Sequence, residues 1–136
     1  KYAVSVKPGL YDLLTYLKCQ GYKLAVASST KREKVERHLC STNVRHYFDV
    51  VIAGDMVEKS KPEPDIYLMA AAALGVKPEE CYALEDSRNG LLSAHAAGCK
   101  AIMVPDLWQP DEAVKGFITG PFKSLLDVRA WLIAQQ

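Results

Sequence analysis

The sequence lacks the features by which membrane, secreted and nucleic-acid-binding proteins are recognised. No apolar run approaches the roughly 20 residues that a membrane-spanning helix needs, and no secretory signal precedes the folded pattern. The 17 basic and 16 acidic side chains leave a formal net charge of +1, so neither sign is in excess. We therefore expect no nucleic-acid partner and no membrane partner.

Cysteines are few, and they have no CxxC spacing: Cys19, Cys40, Cys81 and Cys99. Because 49% of the residues are hydrophobic, a core can form without a disulfide framework. We therefore expect four reduced thiols in a cytoplasmic protein. The length of 136 residues indicates a single domain over 1–136. The chain begins at Lys1, not at a methionine, and from this we expect a processed or truncated polypeptide.

The spacing of apolar residues predicts helices alternating with short strands. Helices are predicted from Leu10 to Gly21, from a Thr30-x-x-Glu33 capping box to Cys40, from Pro64 to Leu74, from Ser87 to Gly98 and over 123–134. Strands are predicted at 23–27, 50–53, 81–84 and 100–104, with a short extra strand at Phe117–Ile118. This alternation predicts one α/β domain with a parallel sheet covered by helices on both faces.

A serine cluster follows the first predicted strand, where open parallel sheets bind their ligands. The hydroxyl of Ser28 and the nearby backbone N–H groups would hold a phosphate oxygen at a helix start. The alternative is that Ser28, Ser29 and Thr30 merely cap the helix that follows.

Lys61 lies in a loop stiffened by two prolines, Pro62 and Pro64. A stiff backbone aims the ammonium group at developing negative charge without reorganisation. The alternative is a solvated surface lysine beside a helix start.

An acidic pair, Glu85-Asp86, closes an apolar strand. Poorly hydrated carboxylates need a cation or strong hydrogen-bond donors, and their oxygens suit Mg²⁺. The alternative is that Asp86 caps the helix starting near Ser87 while Glu85 pairs with a lysine.

In this order and spacing, the three clusters resemble the haloacid dehalogenase-like superfamily. The runs SKPEPDIY, ALEDSRNG and AHAAGCKAIMVPD are similar to its β-phosphoglucomutase and small-sugar-phosphatase branch. The resemblance implies a three-layer, Rossmann-like α/β core and Mg²⁺-dependent phosphoryl transfer through an aspartyl-phosphate. By motif match, Ser28 and Ser29 would bind the phosphoryl group, Lys61 would neutralise its charge, and Asp86 would take Mg²⁺ with support from Glu85.

One part of the family pattern is missing. Members carry an Asp-x-Asp motif on an N-terminal strand, followed in this branch by a helical cap, whereas no two aspartates here stand two residues apart. The resemblance implies that the core lacks its central strand, between the strands ending at Ser28 and Asp86, and also the cap. Because an absent central strand leaves two unpaired edges, we expect an upstream segment, a second copy or a rearranged sheet to fill the gap.

The leading functional hypothesis is the C-terminal core portion of an enzyme that hydrolyses a small phosphorylated metabolite or isomerises it as a phosphoglucomutase does. These 136 residues alone would be inactive, because the nucleophile is absent. The alternative is a truncated or degenerate module that binds phosphate, metal or a partner without turnover. A receiver-type signalling domain fits poorly, because Lys61 precedes Glu85-Asp86 in the chain.

Overall fold

A computed structural model describes residues 9–104 and 112–135 of the chain. In chain order the helices and strands are α1 (Leu10–Cys19), β1 (Ala25–Ser28), α2 (Arg32–Ser41), β2 (Val50–Ala53), α3 (Asp65–Leu74), β3 (Tyr82–Glu85), α4 (Arg88–Ala97), β4 (Lys100–Met103), α5 (Glu112–Lys115) and α6 (Leu125–Ala134). They alternate as the sequence predicts as far as β4, after which the short helix α5, which was not predicted from the sequence, precedes the final helix. The longest helices have 10 residues, and none in the described ranges is long and apolar enough to cross a bilayer.

The strands form two separate parallel pairs. β1 pairs with β2 from Ala25–Val50 onward, and β3 pairs with β4 from Tyr82–Lys100 onward. Within the described ranges no ladder joins β1 to β3, which confirms the expected gap in the sheet. The burial of β1 also reflects this gap: its apolar residues are only half-buried, whereas Val51 and Ile52 of β2 are each 4% exposed.

Helices cover the strands on two faces, so that the fold has three layers. One face carries α1, α2 and α6, which contribute the buried Leu13, Leu39 and Val128 to a common core. The other carries α3, α4 and α5, with Ile66 and Leu91 in a second core. Because α1 packs on α6 and α3 packs on α4, helices link the two strand pairs on both faces.

A cleft of about 1320 Å³ lies between the two strand pairs. Its apolar walls include Val26 of β1, Leu84 of β3 and several leucines of α1. The polar residues Ser28 and Asp86 also line it. Sites for small molecules typically measure about 300–1,000 Å³. The cleft is therefore larger than a small ligand alone requires, and much of its wall is apolar strand.

Several helix ends agree with the sequence prediction because their signals are local. Ser87 caps α4 by accepting a hydrogen bond from the Gly90 N–H at 3.0 Å. Gly75 and Gly98 end α3 and α4 in the left-handed conformation, with φ of 73° and 95°, which glycine adopts without a Cβ penalty.

The predicted Thr30-x-x-Glu33 capping box is wrong. Helix α2 begins after Lys31, which makes no side-chain cap, and Asp55 Oδ1 instead accepts the Arg32 N–H at 3.0 Å. Thr30 contributes its backbone carbonyl, which accepts the Gly54 N–H at 2.9 Å. The loop after β2 thus caps the helix after β1, an arrangement that a four-residue pattern does not contain.

The predicted strand at Phe117–Ile118 is also wrong. The chain makes a single isolated bridge there, between Thr119 and Ile102 of β4. Gly120 follows at a φ of 104°, and this turn interrupts the ladder, although the Phe122 N–H still donates to the Met103 carbonyl at 3.0 Å.

We expect Asp55→Ala to lower the free energy of unfolding by about 0.5–1 kcal/mol, because α2 loses its cap. Urea denaturation measures the change. Thr30→Ala is the matched control and should change the free energy of unfolding by less, because only its backbone is used. A larger loss of unfolding free energy in Thr30→Ala than in Asp55→Ala would contradict this account and support the capping box predicted from the sequence.

Candidate active site

The polar ends of β1 and β3 lie on opposite sides of the cleft. Ser28 is the last residue of β1, and Glu85 is the last residue of β3. Lys61 comes from the loop that leads into α3, which packs on β1 and β2. The five residues singled out by the sequence, Ser28, Ser29, Lys61, Glu85 and Asp86, all line this one cleft.

Lys61 connects the two strand pairs. Its Nζ donates to the carbonyl oxygen of Ala27 on β1 at 3.1 Å and to Glu85 Oε2 on β3 at 2.5 Å. The side chains of Lys61 and Glu85 are only 11% and 8% exposed. Lys61 is therefore not a solvated surface lysine. Its ammonium group is buried in the wall of the cleft.

Glu85 is held from two further directions. The Tyr67 hydroxyl donates to Glu85 Oε2, and a Cβ at Gly90 would overlap the same carboxylate. Burial, together with the negative charge of Glu85, raises the pKa of Tyr67 above its usual value, so the phenol stays protonated and donates. The Lys61 Nζ also lies 5.3 Å from the centroid of the Tyr67 ring, within the range of a cation–π interaction.

The Lys61–Glu85 ion pair positions charge more than it adds stability. Desolvation of two buried charges offsets much of their attraction, yet removal of one partner costs about 3–5 kcal/mol, because the other is left buried and unpaired. The net effect is an ammonium group fixed at the wall of the cleft.

The serine loop is fixed by its neighbours. Ser28 Oγ accepts the Thr30 N–H at 3.2 Å, and this bond leaves the hydroxyl proton for a ligand oxygen. Gly54 lies against the Ser29 carbonyl, where a Cβ would overlap it. Because α2 is capped by Asp55, these serine hydroxyls do not serve as its cap.

The acidic pair is divided between two environments. The Glu85 carboxylate faces Lys61 and Tyr67, whereas Asp86 is half-buried and lines the cleft. Over the described ranges, no group of three or more His, Cys, Asp or Glu side chains is placed to hold a metal ion. The chain thus fits Mg²⁺ only in part: Asp86 is suited to be one ligand, and other oxygens would have to complete the shell.

The sequence interpretation missed Tyr67, Gly90 and Gly54. Gly90 carries a usable signal, since a glycine in the first turn of a helix often marks a close approach of another group. Tyr67 lies on α3 and is 9% exposed. The helical spacing of apolar residues cannot distinguish a tyrosine that donates to a buried carboxylate from one that only packs in the core. Gly54 directly follows β2 and reads equally well as a turn residue.

Comparison with known proteins identifies the family. The family model described as "Haloacid dehalogenase-like hydrolase" matches residues 1–104, which is more than half of the chain. The sequence resemblance to this superfamily is therefore confirmed, and so is the partial, Rossmann-like α/β core.

Three similar proteins illustrate the match. The chain is 43% identical over 117 residues to Protein CbbY of Cereibacter sphaeroides, covering 83% of this chain and 50% of that protein. It is 38% identical over 98 residues to hexitol phosphatase B of Escherichia coli, covering 72% and 44%. A crystal structure of a CbbY variant from Rhodobacter sphaeroides with xylulose-(1,5)bisphosphate superposes with a TM-score of 0.83 at 38% identity, covering 92% and 56%. The chain spans about half the length of the curated relatives that it matches.

We expect Gly90→Ala to destabilise the protein by about 1–3 kcal/mol, because the new methyl group displaces a pinned carboxylate. Helix propensity alone would predict a gain of about 1 kcal/mol from this change, so the sign discriminates between the two effects. Gly116→Ala is the control, since nothing lies within 4 Å of its Cβ position. Equal or higher stability of Gly90→Ala in chemical denaturation would contradict the placement of Glu85.

Proposed function

The chain belongs to the haloacid dehalogenase-like hydrolases, and from this membership we propose that it supplies the phosphate-binding half of a phosphoryl-transfer site. The observation that supports the proposal most is the position of Lys61, which is buried between β1 and β3 in the cleft that Ser28 and Asp86 also line. Phosphoryl transfer depends mainly on positioning and on neutralisation of charge. A fixed ammonium group at a serine loop and a carboxylate suits that chemistry.

Each residue has one role in this proposal. The Ser28 hydroxyl and the Ser29 N–H bind oxygens of the transferring phosphoryl group. Lys61 balances negative charge on that group and on the nucleophile, and Glu85 holds Lys61 in place together with Tyr67. Asp86 is a ligand to Mg²⁺, directly or through water, and bound Mg²⁺ would neutralise charge on the phosphoryl oxygens.

We further propose that residues 1–136 form a partial core domain whose cleft receives one parallel strand with an Asp-x-Asp motif at its carboxyl end. The strand would come from a polypeptide segment outside these 136 residues. A second copy of the chain cannot supply the motif, because no two of its aspartates stand two residues apart. The length of the relatives, about twice the matched region, is consistent with such a segment.

The proposed substrate is a small phosphorylated sugar or sugar alcohol. The name hexitol phosphatase B and the xylulose-(1,5)bisphosphate bound in the CbbY variant support this class. Hydrolysis is the first candidate reaction and phosphoglucomutase-type isomerisation the second. The two differ largely in how well water is excluded, which depends on the cap.

We expect Lys61→Met to reduce kcat by about 10²–10³-fold or more for an aryl phosphate, measured in the protein that carries the Asp-x-Asp strand. Lys59→Met, at an exposed position two residues earlier, should keep full activity. Lys61→Met/Glu85→Gln removes both charges and tests whether Lys61 is merely structural. Recovery of activity in this double variant would contradict a direct role for Lys61, whereas recovery of folding without activity supports it.

We expect no turnover of an aryl phosphate by the 136-residue chain alone, since it lacks the nucleophile. Turnover should appear when the chain is joined to the strand-and-cap segment of a CbbY relative. An Asp-x-Asp→Asn-x-Asn version of that segment is the control and should remain inactive. Phosphate release by the chain alone at a comparable rate would contradict the proposed division of the site.

A further inference from the structure

Cys81 and Cys99 stand side by side at the amino ends of β3 and β4. The parallel ladder begins with Tyr82 beside Lys100, and the Lys100 N–H donates to the Cys81 carbonyl at 2.9 Å. Cys81 directly precedes Tyr82, and Cys99 directly precedes Lys100. Because side chains alternate along a strand, both thiols project to the face opposite Tyr82 and Lys100. Cys99 is buried in the second core and Cys81 packs against that core. The Cys81 thiol donates to the Lys77 carbonyl at 3.4 Å, and neither cysteine is in a disulfide.

The spacing of neighbouring strands suits a disulfide. Paired strands lie about 4.7–4.9 Å apart, within the roughly 4.4–6.8 Å that a disulfide spans between Cα atoms. Cys19 and Cys40 offer no such arrangement, since they are exposed on the separate helices α1 and α2.

We propose that Cys81 and Cys99 form a reversible oxidation site, at which a small-molecule disulfide converts the two thiols into an intrachain bond between β3 and β4. This proposal is independent of the proposed phosphoryl-transfer function, because it depends only on the register of the two strands.

The reaction begins at Cys81, which is the more accessible thiol; Cys99 is 6% exposed. The Cys81 thiolate attacks one sulfur of the small disulfide, whose S–S bond breaks and whose other half leaves as a thiol. The Cys99 thiolate then attacks the Cys81 sulfur and releases the second small thiol. Two protein thiols are oxidised, and one small disulfide is reduced to two thiols.

The surroundings make this reaction slow. Burial raises the pKa of the Cys81 thiol and raises the pKa of Cys99 to about 12, so little thiolate is present near neutral pH. In a reducing compartment such as the expected cytoplasm, the pair stays reduced and responds to sustained oxidation. The bond closes the segment that carries α4 and ties β3, one wall of the cleft, to β4.

The test uses the Cys19→Ser/Cys40→Ser variant, which leaves only the proposed pair. The folded variant is incubated with glutathione disulfide, then unfolded and alkylated, and its intact mass is measured. We expect a loss of about 2 Da, with neither glutathione nor alkyl groups attached. At equilibrium in the same mixture of glutathione and its disulfide, the ratio of cross-linked to open protein should be at least about tenfold higher for folded protein than in urea, because the fold holds the thiols together.

Single variants in the same background identify the entry point. With Cys99→Ser, Cys81 should retain one glutathione; with Cys81→Ser, Cys99 should remain unmodified until the protein is unfolded. Should a variant fail to fold by circular dichroism, peptide mapping of the unaltered chain must find a Cys81–Cys99 cross-link. Two alkylatable thiols after prolonged oxidation of folded protein, or an equal equilibrium ratio of cross-linked to open protein in urea, would overturn the proposal.

Discussion

A buried ammonium group connects the two halves of this fold. Lys61 donates to Ala27 on β1 and to Glu85 on β3, and no ladder bridges these strands within the described ranges. Other features follow from this contact. Gly90 makes room for the Glu85 carboxylate, and the Tyr67 hydroxyl supplies a second donor to it. A buried carboxylate without these partners would destabilise the protein, so the site and the packing around it are constrained together.

The cleft beside this ion pair explains why an apolar strand is incompletely buried. Strand edges with unpaired N–H and C=O groups recruit further strands, and native proteins cover them. Here the helices on both faces hold the two strand pairs in place around the cleft of about 1320 Å³, whose walls are largely apolar. The residues proposed to bind phosphate and Mg²⁺ also line this cleft. In our account, the strand that completes the sheet therefore also completes the site.

The sequence predicted what local signals encode. The strand at Val50–Ala53 and the helix ends at Gly75 and Gly98 follow from an apolar run and from glycine's access to positive φ. Contacts between distant segments were not predictable in this way. Asp55 caps a helix 23 residues earlier in the chain, and the contact of Tyr67 with Glu85 depends on how α3 packs over the strands. The gap in the sheet was inferred from family resemblance, because no pattern within the chain marks a strand that is absent.

The most direct test of the account is amide hydrogen exchange on the chain alone and on the chain joined to a strand that carries Asp-x-Asp. The account predicts that amides of β1 and β3 gain protection of about a hundredfold or more on joining, because their cleft-facing N–H groups become paired. Amides of β2 and β4 should change little, because these strands already pair with β1 and β3 on the side that faces the cleft. Equal protection of β1 and β3 with and without the added strand would show that the cleft does not receive it.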